Sequence, residues 1–166
     1  MPQTNSGMSS IARIKAQLID AVIKGETHRV VSALEEDGTL VNFIDDEGRT
    51  PLLLASLMTH FSIVRVLCGF DANVNFADKT GVTPLHAACM KSKNVELMNF
   101  LVRQGAAINS VTSLGRTILH GAVETGNEVG VRFALGQGVN VDACHEVGAG
   151  VRMTPLALAF TFCENK

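Results

Sequence analysis

Apolar positions along this chain recur at spacings that describe pairs of short helices. In SSIARIKAQLIDAVIKG, Ile11, Ile14, Leu18 and Val22 fall on one stripe and leave Arg13, Lys15 and Lys24 for solvent. Leu52, Ala55 and Ser56 keep helical spacing, as do Ile63, Val64, Val66 and Leu67 a few residues later. Each predicted helix has one apolar face. A single pair of this length cannot bury that face alone, so the pattern predicts stacking of one pair on the next.

The polar breaks are periodic too. Gly48, Gly81, Gly115 and Gly148 each stand six residues after Asn42, Asn75, Asn109 and Asp142. Thr50, Thr83, Thr117 and Thr154 open near-copies of one phrase, TPLLLA, TPLHAA, TILHGA and TPLALA, at intervals of 33, 34 and 37 residues. Self-similarity at this period is the mark of a repeat architecture. The unit reads hairpin, helix, turn, helix, loop. Glycine permits the positive φ of the hairpin turn, threonine caps the first helix, and proline takes the first helical position, where its missing N–H costs nothing. Ala55, Ala88, Ala122 and Ala159 keep one register position small, so that neighbouring helices can approach. Gly38, Gly105 and Gly138 are expected to close the second helices in a left-handed conformation.

These phrases resemble the ankyrin repeat, of form D-x-x-G-x-T-P-L-H-x-A-A with a second helix and G-A-x-V-N after it. The resemblance covers about 150 of the 166 residues. It implies an all-α solenoid of helix-turn-helix units joined by β-hairpin loops, with repeats at about 11–44, 45–77, 78–111 and 112–144 and a partial one at 145–166. Residues 1–9 are expected to be a disordered tail ahead of a repeat domain at 10–166. The family's strut histidine falls on His86 and His120, with Leu53 and Ala157 in that slot elsewhere. Two places break the pattern. Gly121 and Gly130 interrupt the helices of the fourth unit, each at an expected cost of about 1 kcal/mol relative to alanine, which marks that unit as the weak point of the stack. The partial repeat stops where a second helix is due, which leaves Leu156, Ala159 and Phe160 without a cover and suggests a fragment, a splice form or a chain that continues in its natural context.

Composition narrows the function. With 14 basic and 16 acidic residues, a net charge of −2 and no basic run, nucleic acid is not an expected partner. No apolar stretch approaches the roughly 18 residues that span a bilayer, and MPQTNSGMSS lacks the basic and apolar regions of a secretory signal. A soluble protein of the cytoplasm, the nucleus or both is expected. Cys68, Cys89, Cys144 and Cys163 form no CxxC pair and read as reduced thiols. The sequence holds no nucleophile elbow, zinc-protease helix, phosphate loop or calcium loop. GQGVNV and GAGVRM lack the third glycine of a dinucleotide fingerprint, and the five histidines show no ligand spacing. No catalytic residue, metal or cofactor is expected. Asp45, Asp46 and Glu47 read as a solvated turn.

What remains is a surface. The resemblance implies a non-catalytic interaction module that binds a protein partner on the concave face, built from hairpin tips and first helices. On this chain Arg49, Leu57, Met58, Val82, Met90, Lys91, Leu114, Arg116, Arg152 and Phe162 are the expected contact residues. Lys24, Asp46, Glu47, Lys79, Thr80, Ser113, Glu124, Thr125, Met153 and Thr161 lie around them. Leu57, Met58, Met90, Leu114 and Phe162 make a broken apolar stripe of the kind that marks contact sites. A narrower alternative is the substrate-recognition part of a ubiquitin-ligase adaptor, whose suppressor-of-cytokine-signalling box would lie downstream. The chain is expected to be monomeric if its last half repeat is covered. Asn42, Asn75 and Asn109 resemble targets of an iron- and 2-oxoglutarate-dependent asparaginyl hydroxylase, their other expected role being to tie each loop to its neighbour.

Overall fold

The computed structural model describes residues 10–148 and 151–163, the side chains of 147, 148 and 161–163 excepted. The expected disordered tail at 1–9 and the side chain of Phe162 therefore lie outside the described residues. The helices come in pairs: α1 (Ser10–Lys24) with α2 (Thr27–Glu36), α3 (Pro51–Leu57) with α4 (Phe61–Gly69), α5 (Pro84–Lys91) with α6 (Val95–Arg103), and α7 (Ile118–Glu124) with α8 (Glu128–Gly136). A short antiparallel hairpin of β1 (His145–Gly148) and β2 (Val151–Met153) then leads into α9 (Pro155–Cys163). First helices stack in one layer, α1 on α3, α3 on α5, α5 on α7 and α7 on α9.

The threonine–proline phrase starts helices as its chemistry requires. Thr50 Oγ1 accepts from the Leu53 N–H at 3.2 Å, and Pro51 and Pro84 open α3 and α5. Leu52, Ala55, Leu85, Ala88, Ile118 and Ala122 are fully buried between layers, and Ile63, Val64, Leu67, Leu97, Met98 and Leu101 cover them from the second helices. On α1 the stripe is Ile14, Leu18, Ala21 and Val22, while Ile11 stays 51% exposed. The reason is length. At about 1.5 Å per residue, the 15 residues of α1 overhang the 10 of α2 and the seven of α3 that cover it.

The hairpin tips are hydrogen-bonded turns rather than strands until β1 and β2. Asp45 Oδ1 accepts from the N–H groups of Glu47 and Arg49, and Asp78 Oδ1 does the same for Thr80 and Val82. Gly81, at φ +82°, sits so close to the next tip that a Cβ there would lie 2.8 Å from the Ser113 nitrogen. Asp45 is thus the organiser of its turn, and only Asp46 and Glu47 fit the solvated reading. Burial opposes ionisation of Asp45, but the Arg49 backbone and guanidinium outweigh it and hold the carboxyl below its ordinary value.

Three glycine expectations need correction. Gly105 and Gly138 have the expected positive φ, but Gly38 does not. It opens a 3-10 turn after Asp37, whose side chain accepts from the Thr39 N–H. In the second unit Asp71 takes the left-handed position, at φ 61°. Gly130, read as a weak point, is a close approach: a Cβ built on it would lie 2.1 Å from the Cys89 carbonyl oxygen. Where Ile63 and Leu97 fill the same register position, the fourth unit removes the side chain and α8 moves onto α5. Gly121 is similar but softer, since its Cβ would meet the flexible Met90 side chain at 2.7 Å.

Candidate functional site: the cleft between the third and fourth repeats

The concave layer is continuous with the buried struts beneath it. His86 Nε2 donates to the Arg116 carbonyl at 3.3 Å, and His120 Nε2 donates to that of Met153 at 3.3 Å. Carbonyls only accept, so both rings carry the proton on Nε2 and present Nδ1 as acceptor to the N–H of Thr83 or Thr117. Burial holds both imidazoles below their ordinary pKa, with the carbonyl contacts opposing it. Leu53, in the same slot, is buried without such a bond. Each strut fixes the backbone that carries the next hairpin tip.

Above this layer lies a cleft of about 370 Å³ between the third and fourth units, lined by Thr80, Val82, His86, Met90, Thr112, Ser113, Leu114, Arg116, Thr117, Gly121 and Glu124. Val82 and Met90 are half-buried and Leu114 is exposed. Arg116 Nη1 pairs with Glu124 Oε2 at 2.8 Å, while its buried Nε has no hydrogen-bond partner among the described residues. Ser113 donates to the Thr80 carbonyl through both N–H, at 2.8 Å, and Oγ, at 2.9 Å, and so closes the tip side of the cleft. Thr125 Oγ1 reaches the Met90 carbonyl at 2.8 Å on the other side. The result is an apolar floor with an ion pair on its wall.

Four of the expected contact residues, Val82, Met90, Leu114 and Arg116, meet here, with Thr80, Ser113 and Glu124 from the wider concave set. Leu57, in register with Met90, is half-buried outside this lining, and Met58 beside it is 42% exposed. Arg49 is held by Asp45 and Glu47 at 2.8 and 2.9 Å. Lys91 lines a separate, more polar depression with Met90, Lys93 and Asn127, and Arg152 is exposed on β2 opposite Glu146. The sequence reading missed Gly121, Thr112, Thr117 and His86 as lining. A glycine in the register position of Ala87 was the available signal, because it opens the floor on which Met90 lies.

Asn42 and Asn75 do tie adjacent loops. Asn42 Oδ1 accepts from the Asn73 N–H at 2.7 Å and its Nδ2 donates to the Asp71 carbonyl at 3.3 Å; Asn75 makes the matching pair with Ala107 and Gly105, at 2.7 and 2.9 Å. Asn109 is exposed, and its side chain makes no such bond among the described residues. Cys68 and Cys89 are free thiols whose burial pushes them up to about 11 and about 12. Among the described residues no group of three or more His, Cys, Asp or Glu side chains could hold a metal ion, and no helix is long and apolar enough to cross a membrane.

A family model for ankyrin repeats in three copies matches residues 18–112, more than half of the chain. This chain belongs to the ankyrin repeat family. The helix pair α7/α8 extends the same architecture past the matched span. Among curated proteins, human Rabankyrin-5 is 34% identical over 130 residues, which are 78% of this chain and 11% of that protein. A Caenorhabditis elegans homolog of transient receptor potential cation channel subfamily A member 1 is 35% identical over 128 residues, 77% of this chain and 10% of that protein. The zebrafish (Danio rerio) putative palmitoyltransferase ZDHHC13 is 32% identical over 129 residues, 77% of this chain and 20% of that protein. The chain therefore spans a tenth to a fifth of the length of these relatives. Ankyrin repeats generally mediate protein–protein interaction, and it is this segment that the relatives share.

Proposed function

We propose that this chain is a non-catalytic protein-interaction module that takes a partner segment in the cleft between its third and fourth repeats. The observation that carries this reading is the convergence of Val82, Met90 and Leu114 on one apolar floor beside the Arg116–Glu124 pair. An apolar anchor from the partner fills the floor, and the Arg116 guanidinium, held by Glu124 on the wall, supplies orientation. Met58, Arg49, Lys91, Arg152 and Phe162 extend the contact along the concave face on this proposal. Anchors surrounded by lesser contacts dominate such interfaces.

The test is selection of binding peptides from a display library on the full chain, followed by methyl NMR of the complex. Shifts are expected at Val82, Met90 and Leu114. The changes Leu114→Glu and Met90→Glu should each weaken binding about tenfold or more, equivalent to about 1.4 kcal/mol. Peptides that bind both variants undiminished would place recognition elsewhere. Use as a ubiquitin-ligase adaptor would employ this same face, with its box supplied from outside these residues. For asparagine hydroxylation, which we propose on the family resemblance alone, Asn109 ranks first because, of the three exposed asparagines, its side chain has no loop tie among the described residues. Peptide mass spectrometry with no added oxygen on Asn109, Asn42 or Asn75 would remove it.

A further inference from the structure

We infer that the groove between α4 and α6, in the layer of second helices and away from the concave cleft, is a second docking surface, and that its occupant is an acidic peptide segment carrying a large apolar side chain. Each second helix holds one arginine: Arg29 in α2, Arg65 in α4, Arg103 in α6 and Arg132 in α8. Two of the four are neutralised within the chain. Arg29 pairs with Asp20 and Glu26, and Arg132 pairs with Glu128 at 2.6 Å. Arg65 and Arg103 are exposed and form no ion pair among the described residues, and both line one groove of about 500 Å³.

The floor between these cations is aromatic. Phe61 and Phe100 meet edge to face with ring centroids 5.7 Å apart, and both stay half-buried. In the other units the position of Phe61 belongs to solvent: His28, Val95 and Glu128 hold it in α2, α6 and α8, and all three are exposed. The core does not need a phenylalanine there, since Ile63, Val64 and Leu67 are the residues that α4 buries. Arg103 stands in the last turn of α6, where its charge also suits the helix dipole, but Arg65 is mid-helix and has no such role. Complementarity then fixes the occupant. Guanidinium groups take carboxylates in paired, charge-assisted hydrogen bonds, and an apolar side chain between two carboxylates covers the phenylalanines. Glu96, with Asn99 on the same wall, selects against denser negative charge. A nucleic-acid backbone would meet that fixed carboxylate, and a chain of net charge −2 offers no basic field to offset it.

The probe is a fluorescein-labelled peptide with a central phenylalanine–leucine pair flanked on either side by glutamates, titrated against the full chain by anisotropy. Saturable binding is expected, weakened about tenfold or more by Arg65→Gln or by Arg103→Gln. The same peptide with glutamine in place of glutamate should not bind, which tests the charge on the unaltered fold. Both protein substitutions sit on exposed positions, and circular dichroism melting checks that the fold survives them. Arg132→Gln removes a cation of the same layer that is already paired, and Met90→Glu alters the concave cleft. Both should leave peptide binding unchanged, so that failure here and failure of the proposed function are read separately. No saturation at millimolar peptide, an equal loss in Arg132→Gln, or binding indifferent to both Arg65→Gln and Arg103→Gln overturns the inference. A single-stranded oligonucleotide that displaces the peptide would also overturn it, in favour of nucleic acid, as would a dimer by light scattering that Arg65→Gln dissolves, in favour of a second copy of this chain.

Discussion

Gly130 shows how a single residue can carry opposite meanings in sequence and in space. As a helix-interior glycine it reads as a defect that alanine should repair by up to about 1 kcal/mol. The Cys89 carbonyl, 2.1 Å from where its Cβ would stand, reverses that sign. Gly130→Ala is expected to destabilise by about 1–3 kcal/mol, as overpacking does, read as a lower denaturant midpoint at unchanged slope. Gly121→Ala should cost less, because Met90 can swing aside. The buried histidines give a second prediction. Their folded pKa values are depressed from the ordinary 6.5, so the unfolded chain binds more protons over that window. Their contribution is therefore complete above about pH 6.5 and is lost as pH falls through the folded values. The melting temperature should drop from pH 7.5 to pH 5, and His86→Leu with His120→Leu should flatten that part of the profile, since Leu53 already fits the slot. The residue types and register of these histidines were legible in the sequence. The role of Gly130 was not, because the carbonyl it accommodates belongs to a different repeat.

At the level of elements, helix starts were legible wherever capping is local, as at Thr50 and Thr83. Second helices are less local. Asn127 precedes α8, yet its Nδ2 donates to the carbonyls of Cys89 and Ser92 at 2.8 and 2.7 Å instead of its side chain capping its own helix. Asn94, at the matching place before α6, caps Glu96. His60, before α4, reaches back to the Ile23 carbonyl. No spacing rule separates these three cases; the partner each side chain finds does. Asn127→Ala should cost about 1–3 kcal/mol, because it leaves the Cys89 and Ser92 carbonyls at the end of α5 short of a donor. Asn75→Ala should cost a comparable share, and Asn109→Ala should stay within about 0.5 kcal/mol, the range of ordinary surface changes. Equal losses at Asn75 and Asn109 in chemical unfolding would contradict the pairing seen here.

Across the whole molecule, the repeat count and the concave face were readable from the recurring threonine phrase. The centre of the candidate site was not. Leu57 and Met58 carry the strongest apolar signal in the concave sequence, yet the candidate cleft forms one repeat further on, where Gly121 and the Ser113–Thr80 bonds shape it. The same bonds, with His86–Arg116 and the Asn127 contacts, make the joint between the third and fourth units dense. Hydrogen exchange should therefore protect residues 117–137 about as well as 84–103, with residues 151–163 the first to open, since α9 is covered on one side alone. Much faster exchange in 117–137 would restore the reading of Gly121 and Gly130 as faults. The carbonyl of Met153 adds a last consequence. It receives both His120 Nε2 and His145 Nδ1, whose rings meet edge to face at 4.6 Å. If the ends of the array were pulled apart, load crossing into the final segment would fall on the His120–Met153 bond, on the Glu146–Leu114 backbone bond and on the packing of α9 against α7. Under tension the molecule would behave like a chain with one thin link, shedding α9 at low force while the rest of the stack held.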